Sequence, residues 1–212
     1  MDCCVFGNVA IAARNAQRVH ELIIEFDVLH GNGTNDALPS MMIQIYFSYQ
    51  IPRWRLPWYG KIEEVGHGDG EGTMLNLPLP GGSGDIAIRA VLDEVIVPCA
   101  QRFKPDIILV SAGYDAHGLD PLASLEFTTG THYMLASTMK RLANELCGGR
   151  CVFFLEGGYN LDSLSYSVAN SFHGFLGEPS LASKFDDPSI LYEEPSAKVK
   201  QAIQKAKHIH SL

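Results

Sequence analysis

Apolar residues in this chain gather in short runs that stop abruptly at polar clusters. Leu22 to Phe26 ends in Asp27-Val28-Leu29-His30-Gly31. A second run, from Ile107 to Ala112, ends in Gly113-Tyr114-Asp115, and a third, Cys151 to Leu155, in Glu156-Gly157-Gly158-Tyr159-Asn160. Runs of this length without alternation are the mark of buried parallel strands. Between them the apolar residues recur at helical spacing. Helices are expected over Asn8 to His20, Asp85 to about Phe103, Thr128 or Thr129 to Cys147, Asp162 to Leu176 and Lys198 to His210. Asn8 and Asp85 are the expected caps of the first two, Pro98 should bend the second, and Gly148-Gly149 should stop the third. Further strands are expected over Met41 to Tyr49 and Thr73 to Leu77. Strands alternating with helices predict an α/β fold, a mainly parallel sheet with helices on both faces. Such sheets bind ligands at the carboxyl ends of their strands, where the polar clusters lie.

Length and composition narrow the picture. The 212 residues suit one α/β domain or most of a larger one, and 46% hydrophobic content is ample for its core. A net charge of -8 argues against direct nucleic-acid binding. No window approaches about 18 apolar residues, so no membrane span is predicted. Cys99, Cys147 and Cys151 sit in apolar contexts and read as buried thiols of a reducing, intracellular compartment. The chain opens almost directly on a helical pattern, so material is expected to be missing at its N-terminus. The Gly66 to Gly72 loop lacks the Lys-Ser/Thr pair of a phosphate-binding loop. The basic C-terminal helix reads as a packing helix with a solvated face.

The strand ends hold the candidate chemistry. Asp27 and Asp115 either cap and turn the chain, as aspartate commonly does, or together hold a divalent metal. Two carboxylates and one histidine around zinc would leave a position for water, as hydrolysis requires. Tyr159, after two glycines, is either a packing residue or a phenol that donates to a developing oxyanion. His117 and Asp120 read as turn residues.

Several of these motifs, in combination, resemble the class II histone deacetylases. They are Ser111-Ala112-Gly113-Tyr114-Asp115, Asp120-Pro121-Leu122, Glu156-Gly157-Gly158-Tyr159-Asn160, Cys4-Val5-Phe6-Gly7-Asn8-Val9-Ala10 and His30-Gly31-Asn32-Gly33-Thr34. The resemblance covers residues 3 to 37 and about 60 to 177 and is nearest to the plant organellar branch. It implies the arginase/deacetylase fold, incomplete here at the N-terminus, a catalytic Zn2+ and hydrolysis of N-acetyl-lysine in an acetylated protein or peptide. It implies that Asp27 and Asp115 are zinc ligands and that Tyr159 is catalytic. Gly157, Gly158 and His30 would belong to the substrate channel and its turns. By the same resemblance the compartment is plastid or mitochondrion, or else nucleus or cytoplasm. A manganese ureohydrolase shares the fold, but the aspartate after Asp115-Ala116-His117 is one residue too far for its metal motif.

The chain departs from the family pattern where it matters most. The family reads Asp-x-Asp-Val-His-His-Gly at the first strand end, whereas this chain reads Glu25-Phe26-Asp27-Val28-Leu29-His30-Gly31. Leu29 therefore stands where the resemblance puts a zinc-binding histidine, and Glu25 where it puts an orienting aspartate. The family's catalytic histidine pair lies upstream of Cys4-Val5-Phe6, beyond the start of this sequence. Leu38 to Tyr59 holds both tryptophans, three prolines and no acidic residue, and diverges from the family. Codons for Arg53 to Gly60 exist that, shifted by one base, read Asp-Gly-Gly-Tyr-Pro-Gly-Thr, the family loop. This stretch is expected to be a frame-shifted segment within residues 1–212 of one deacetylase-like domain, with 178–212 a C-terminal extension. The expected protein is a zinc-dependent deacetylase impaired as written or, alternatively, a catalytically dead interaction protein whose exposed edge a partner covers.

Overall fold

The computed structural model describes residues 7–16, 19–28, 31, 33–34, 60–66, 68–187 and 193–212, and residues 41–47 by backbone alone. His30, Leu29, the Leu38–Ser40 and Ser48–Tyr59 parts of the divergent stretch, and Cys4 to Phe6 lie outside the described residues.

Five strands form one parallel sheet: β1 (Glu21–Phe26), β2 (Met41–Phe47), β3 (Met74–Leu79), β4 (Ile107–Ala112) and β5 (Cys151–Leu155), in the order β3-β2-β1-β4-β5. All four pairings are parallel. β1 lies at the centre, with Glu25 opposite Ser111 and Phe26 opposite Ala112 on β4. The strand ends that carry Asp27, Asp115 and Gly157 therefore lie side by side.

The sheet is covered on both faces, which explains why its strands are apolar throughout rather than alternating. Alternate side chains still point to opposite sides. Leu22, Ile24, Phe26, Ile108 and Val110 join the main core, whereas Ile23 and Leu109 join Val9 and Ala13 of α1 (Asn8–Asn15). The main core is completed by α2 (Asp85–Val91), α3 (Val97–Phe103), α4 (Thr129–Cys147) and α7 (Ser196–His210). Two further helices, α5 (Leu161–Leu176) and the short α6 (Ala182–Phe185), follow β5.

Several boundaries differ from the sequence expectation. The first helix stops at Asn15 instead of His20, and Gly7, not Asn8, precedes it without a side-chain cap. Asp85 lies inside α2, whose preceding residue is Gly84. The cap comes from a distance: both carboxylate oxygens of Glu194 accept from the Gly84, Ile86 and Ala87 amides. Instead of a bend at Pro98, a π-helical turn over Leu92–Ile96 joins α2 to α3. It sits just ahead of the proline, whose missing N–H and bulky ring disfavour a regular turn there. β3 runs two residues past Leu77, through Pro78. As an edge strand it tolerates a residue that cannot donate to a neighbour.

α4 begins as expected, with Thr128 and Thr131 in a reciprocal capping box, and ends at Gly148 in the left-handed conformation. Cys99, Cys147 and Cys151 are free thiols; the first two are buried. Among the described residues no helix is long and apolar enough to cross a membrane. β2, the apolar part of the divergent stretch, pairs with β1 from Met41 to Gln44 and with β3 from Met42 to Phe47.

Candidate metal and acyl site

β1 and β4 deliver Asp27 and Asp115 to the same edge. Both are buried, at 5% and 1% exposure. They meet over Gly157, the second residue after β5. A methyl group on Gly157 would overlap the Oδ2 atom of Asp115 and lie 3.0 Å from Oδ2 of Asp27. Gly113 plays the same part from below, where a methyl group would lie 2.6 Å from the Asp27 Cα and Oδ2 atoms. The two carboxylates thus share a space walled by backbone that only glycine leaves open. One oxygen of Asp115, Oδ1, accepts from the Val28 amide at 3.1 Å.

Burial is the main cause that pushes Asp115 up to about 7, with the Asp27 charge next. Glu25, two residues before Asp27, is raised further, to about 8, again by burial first and Asp27 second. The Ser111 hydroxyl donates to Glu25 at 3.3 Å, and the Glu25 carboxylate presses against Gly31. Glu25 and Asp115 are therefore each poorly solvated and each repelled by the Asp27 charge. A divalent cation would relieve that repulsion, and hard oxygen donors are suitable ligands for it. The donor set is short, however: among the described residues no group of three or more His, Cys, Asp or Glu could hold a metal ion.

Tyr159 stands on the loop that follows Gly157. Gly158 has φ +139°, a region that side chains rarely adopt, and the Leu164 side chain packs against it. Tyr159 itself is 54% exposed, so it is not a core packing residue. The Tyr114 amide donates to the Gly157 carbonyl at 2.9 Å, tying the loop to the end of β4. Asn160 then starts α5, its Oδ1 accepting from the Asp162 and Ser163 amides.

The turn reading of His117 and Asp120 holds in part. His117 Nδ1 accepts from the Leu119 amide at 3.2 Å, and Asp120 Oδ1 accepts from the Leu122 amide at 2.9 Å. The other Asp120 oxygen reaches the Tyr159 loop. Sequence reasoning also missed His132 of α4, which is buried beneath the site. It stacks on Tyr114 with ring centroids 4.8 Å apart and lies parallel to His117 at 6.3 Å. Burial, followed by the neighbouring His117, holds it down at about 3, so the ring is neutral. Nothing local in Gly130-Thr131-His132-Tyr133 marks it, because its partners come from the β4 loop.

The comparisons with known proteins bear on the family and the fold. The histone deacetylase domain profile matches residues 3–175. Histone deacetylase 14, chloroplastic, of Arabidopsis thaliana is 67% identical over an alignment covering 100% of this chain and 51% of that protein. Histone deacetylase 10, chloroplastic, of Oryza sativa subsp. japonica is 66% identical over 100% of this chain and 48% of that protein. The chain thus spans about half the length of these curated relatives. Among solved structures, the HDA15 HD domain superimposes with a TM-score of 0.81 at 32% identity, covering 99% of this chain and 57% of that one. The histone deacetylase Clr3 gives 0.82 at 28% identity, covering 98% and 35%. The sheet and its helices have the arginase/deacetylase fold, and the chain belongs to the histone deacetylase family.

Proposed function

We propose that this chain carries the carboxylate and tyrosine part of a zinc-dependent protein deacetylase site. Zinc binding and turnover of N-acetyl-lysine are impaired or lost as the sequence stands. The observation that carries the reading is the buried pair Asp27 and Asp115, converging over Gly157 beside the Tyr159 loop. Asp27 and Asp115 would hold the metal, which when bound would polarise the acetyl carbonyl and activate water. Tyr159 would donate its phenolic proton in a hydrogen bond to the carbonyl oxygen as negative charge develops there. Gly157, which leaves room for the two carboxylates, and Gly158 would form the turn beside the substrate channel, with His30 at another of its turns.

One feature sets the impairment: Leu29 offers no lone pair where the resemblance calls for a third ligand. The substrate class is an acetylated protein or peptide, and the names of the two plant relatives point to the plastid as the compartment. The reading treats 38–59 as a divergent segment, and 178–212 as a C-terminal extension, of one deacetylase-like domain. Purified chain should hold far less than one zinc per molecule and deacetylate an acetyl-lysine peptide barely or not at all. Leu29→His should raise its zinc content. Stoichiometric zinc with sustained turnover in the unaltered chain would overturn the impairment.

The alternative, an interaction protein without activity, draws on the far edge of the sheet. β5 reads Cys-Val-Phe-Phe-Leu, with Val152 and Leu155 exposed and no charge or proline to blunt the edge. A protein partner over this edge would bury them.

A further inference from the structure

We infer that Asp120 is a positioning residue for Tyr159, holding the loop that carries this tyrosine beside the carboxylate pair. The inference rests on the role proposed above for Tyr159. Two glycines precede that tyrosine, and Gly158 adopts a φ of +139°. They let the backbone pass close to Asp115 but provide no side chain to fix its course. More than half of the Tyr159 residue is exposed, so core packing does not dictate the direction of its ring. The two glycines leave the course of the backbone to be restrained from elsewhere.

Asp120 supplies that restraint. It is 5% exposed and sits on the loop after β4, 39 residues before Tyr159. A turn aspartate needs only one oxygen, and Oδ1 fills that role by accepting from Leu122. Oδ2 accepts from two successive amides across the site, Tyr159 at 2.6 Å and Asn160 at 3.1 Å. Charge-assisted bonds of this kind are about twice as strong as neutral ones. The Asn160 side-chain amide returns the contact by donating to the Leu119 carbonyl at 3.0 Å. The loop is thereby fastened on both sides of the Tyr159 Cα: through Gly157 to Tyr114, and through Asn160 to Leu119 and Asp120.

The test combines amide hydrogen exchange with a double-mutant cycle. In the unaltered chain the Tyr159 and Asn160 amides should be protected. Asp120→Ala should speed their exchange roughly tenfold or more, and Asp120→Asn, which keeps the shape and one acceptor oxygen, should do so less. Binding of a fluorescein-labelled N-acetyl-lysine peptide is then followed by anisotropy in the presence of zinc. Tyr159→Phe should weaken it by up to roughly tenfold, the worth of one hydrogen bond. Asp120→Ala should weaken it similarly, and the double variant should be no weaker than either single one.

Unchanged exchange at both amides overturns the inference. So does faster exchange with additive binding losses, which would leave Asp120 a purely structural turn residue. If the unaltered chain binds no peptide, or if Tyr159→Phe binds as well as the unaltered chain, the role of Tyr159 fails and the positioning role falls with it. The exchange result still separates that failure from failure of the clamp. Should Asp120→Ala not fold, Asp120→Asn carries both measurements.

Discussion

Two sets of carboxylates in this protein are treated in opposite ways. At the helix starts, Glu194 and Asp186 lie against backbone amides. Glu194 serves Gly84, Ile86 and Ala87, and Asp186 serves Thr129 at 2.9 Å and Gly130 at 2.9 Å. There the negative charge is matched by free N–H groups and by the helix dipole. At the strand ends, Glu25 and Asp115 are each buried near the charge of Asp27, and their protonated forms are favoured. Structural carboxylates are satisfied by the fold itself. At the strand ends burial and the Asp27 charge instead make the ionised forms of Glu25 and Asp115 costly.

The largest test of this contrast is pH. Glu25 and Asp115 bind protons more tightly in the folded chain than in the unfolded one, so stability falls as pH rises through about 7 to 8. Between about pH 6.5 and 8.5 the metal-free chain should lose on the order of 2 kcal/mol, measured by urea unfolding. Below about pH 6.5 His132, held neutral in the fold, gains one proton on unfolding and offsets part of the two that Glu25 and Asp115 release, so the fall becomes shallower without changing sign until the unfolded carboxylates themselves protonate near about pH 4. A stability curve that climbs steadily to pH 8.5 would break the contrast.

Next in size, Glu194→Ala should destabilise the chain by about 0.5–2 kcal/mol, the usual cost of losing a helix cap. Chemical denaturation would read this as a lower midpoint with an unchanged slope.

The smallest effect is also the most telling, because its sign is opposite. Asp115→Asn removes a buried charge yet keeps an oxygen for the Val28 amide. At about pH 8 it should stabilise the metal-free chain by about 1 kcal/mol, or roughly 2–4 °C in thermal unfolding, while abolishing any zinc uptake. If Asp115→Asn destabilises as Glu194→Ala does, the two sets of carboxylates are not different in kind.

Much of the candidate site was legible along the chain. Asp27 follows an apolar run directly, and Asp115 and Tyr159 follow theirs after a short glycine-containing turn, so the strand end and its polar residue are read together. Asp120 was legible only by half: its turn with Leu122 is local, but its hold on Tyr159 spans two strand-end loops. Glu25 was visible as a departure from the family pattern, but its raised protonation range depends on burial and on Asp27. The cap of α2 was misread for the same reason. Asp85 looks like a cap in sequence, whereas Glu194 arrives from 110 residues beyond Gly84.

The sequence alone determined the alternation of strands and helices, since apolar period and run length carry that information locally. It also determined the identity of the strand-end residues, Leu29 included. Even the divergent stretch kept a strand at Met41–Phe47, because an interior parallel strand asks mainly for apolar side chains. Only the tertiary structure decided which carboxylates meet. Strand order places the ends of β1, β4 and β5 together, and backbone distance along the chain says nothing of that. Whether an acid is matched by several amides or buried beside another acid depends on neighbours brought from afar, and so on packing rather than on residue type.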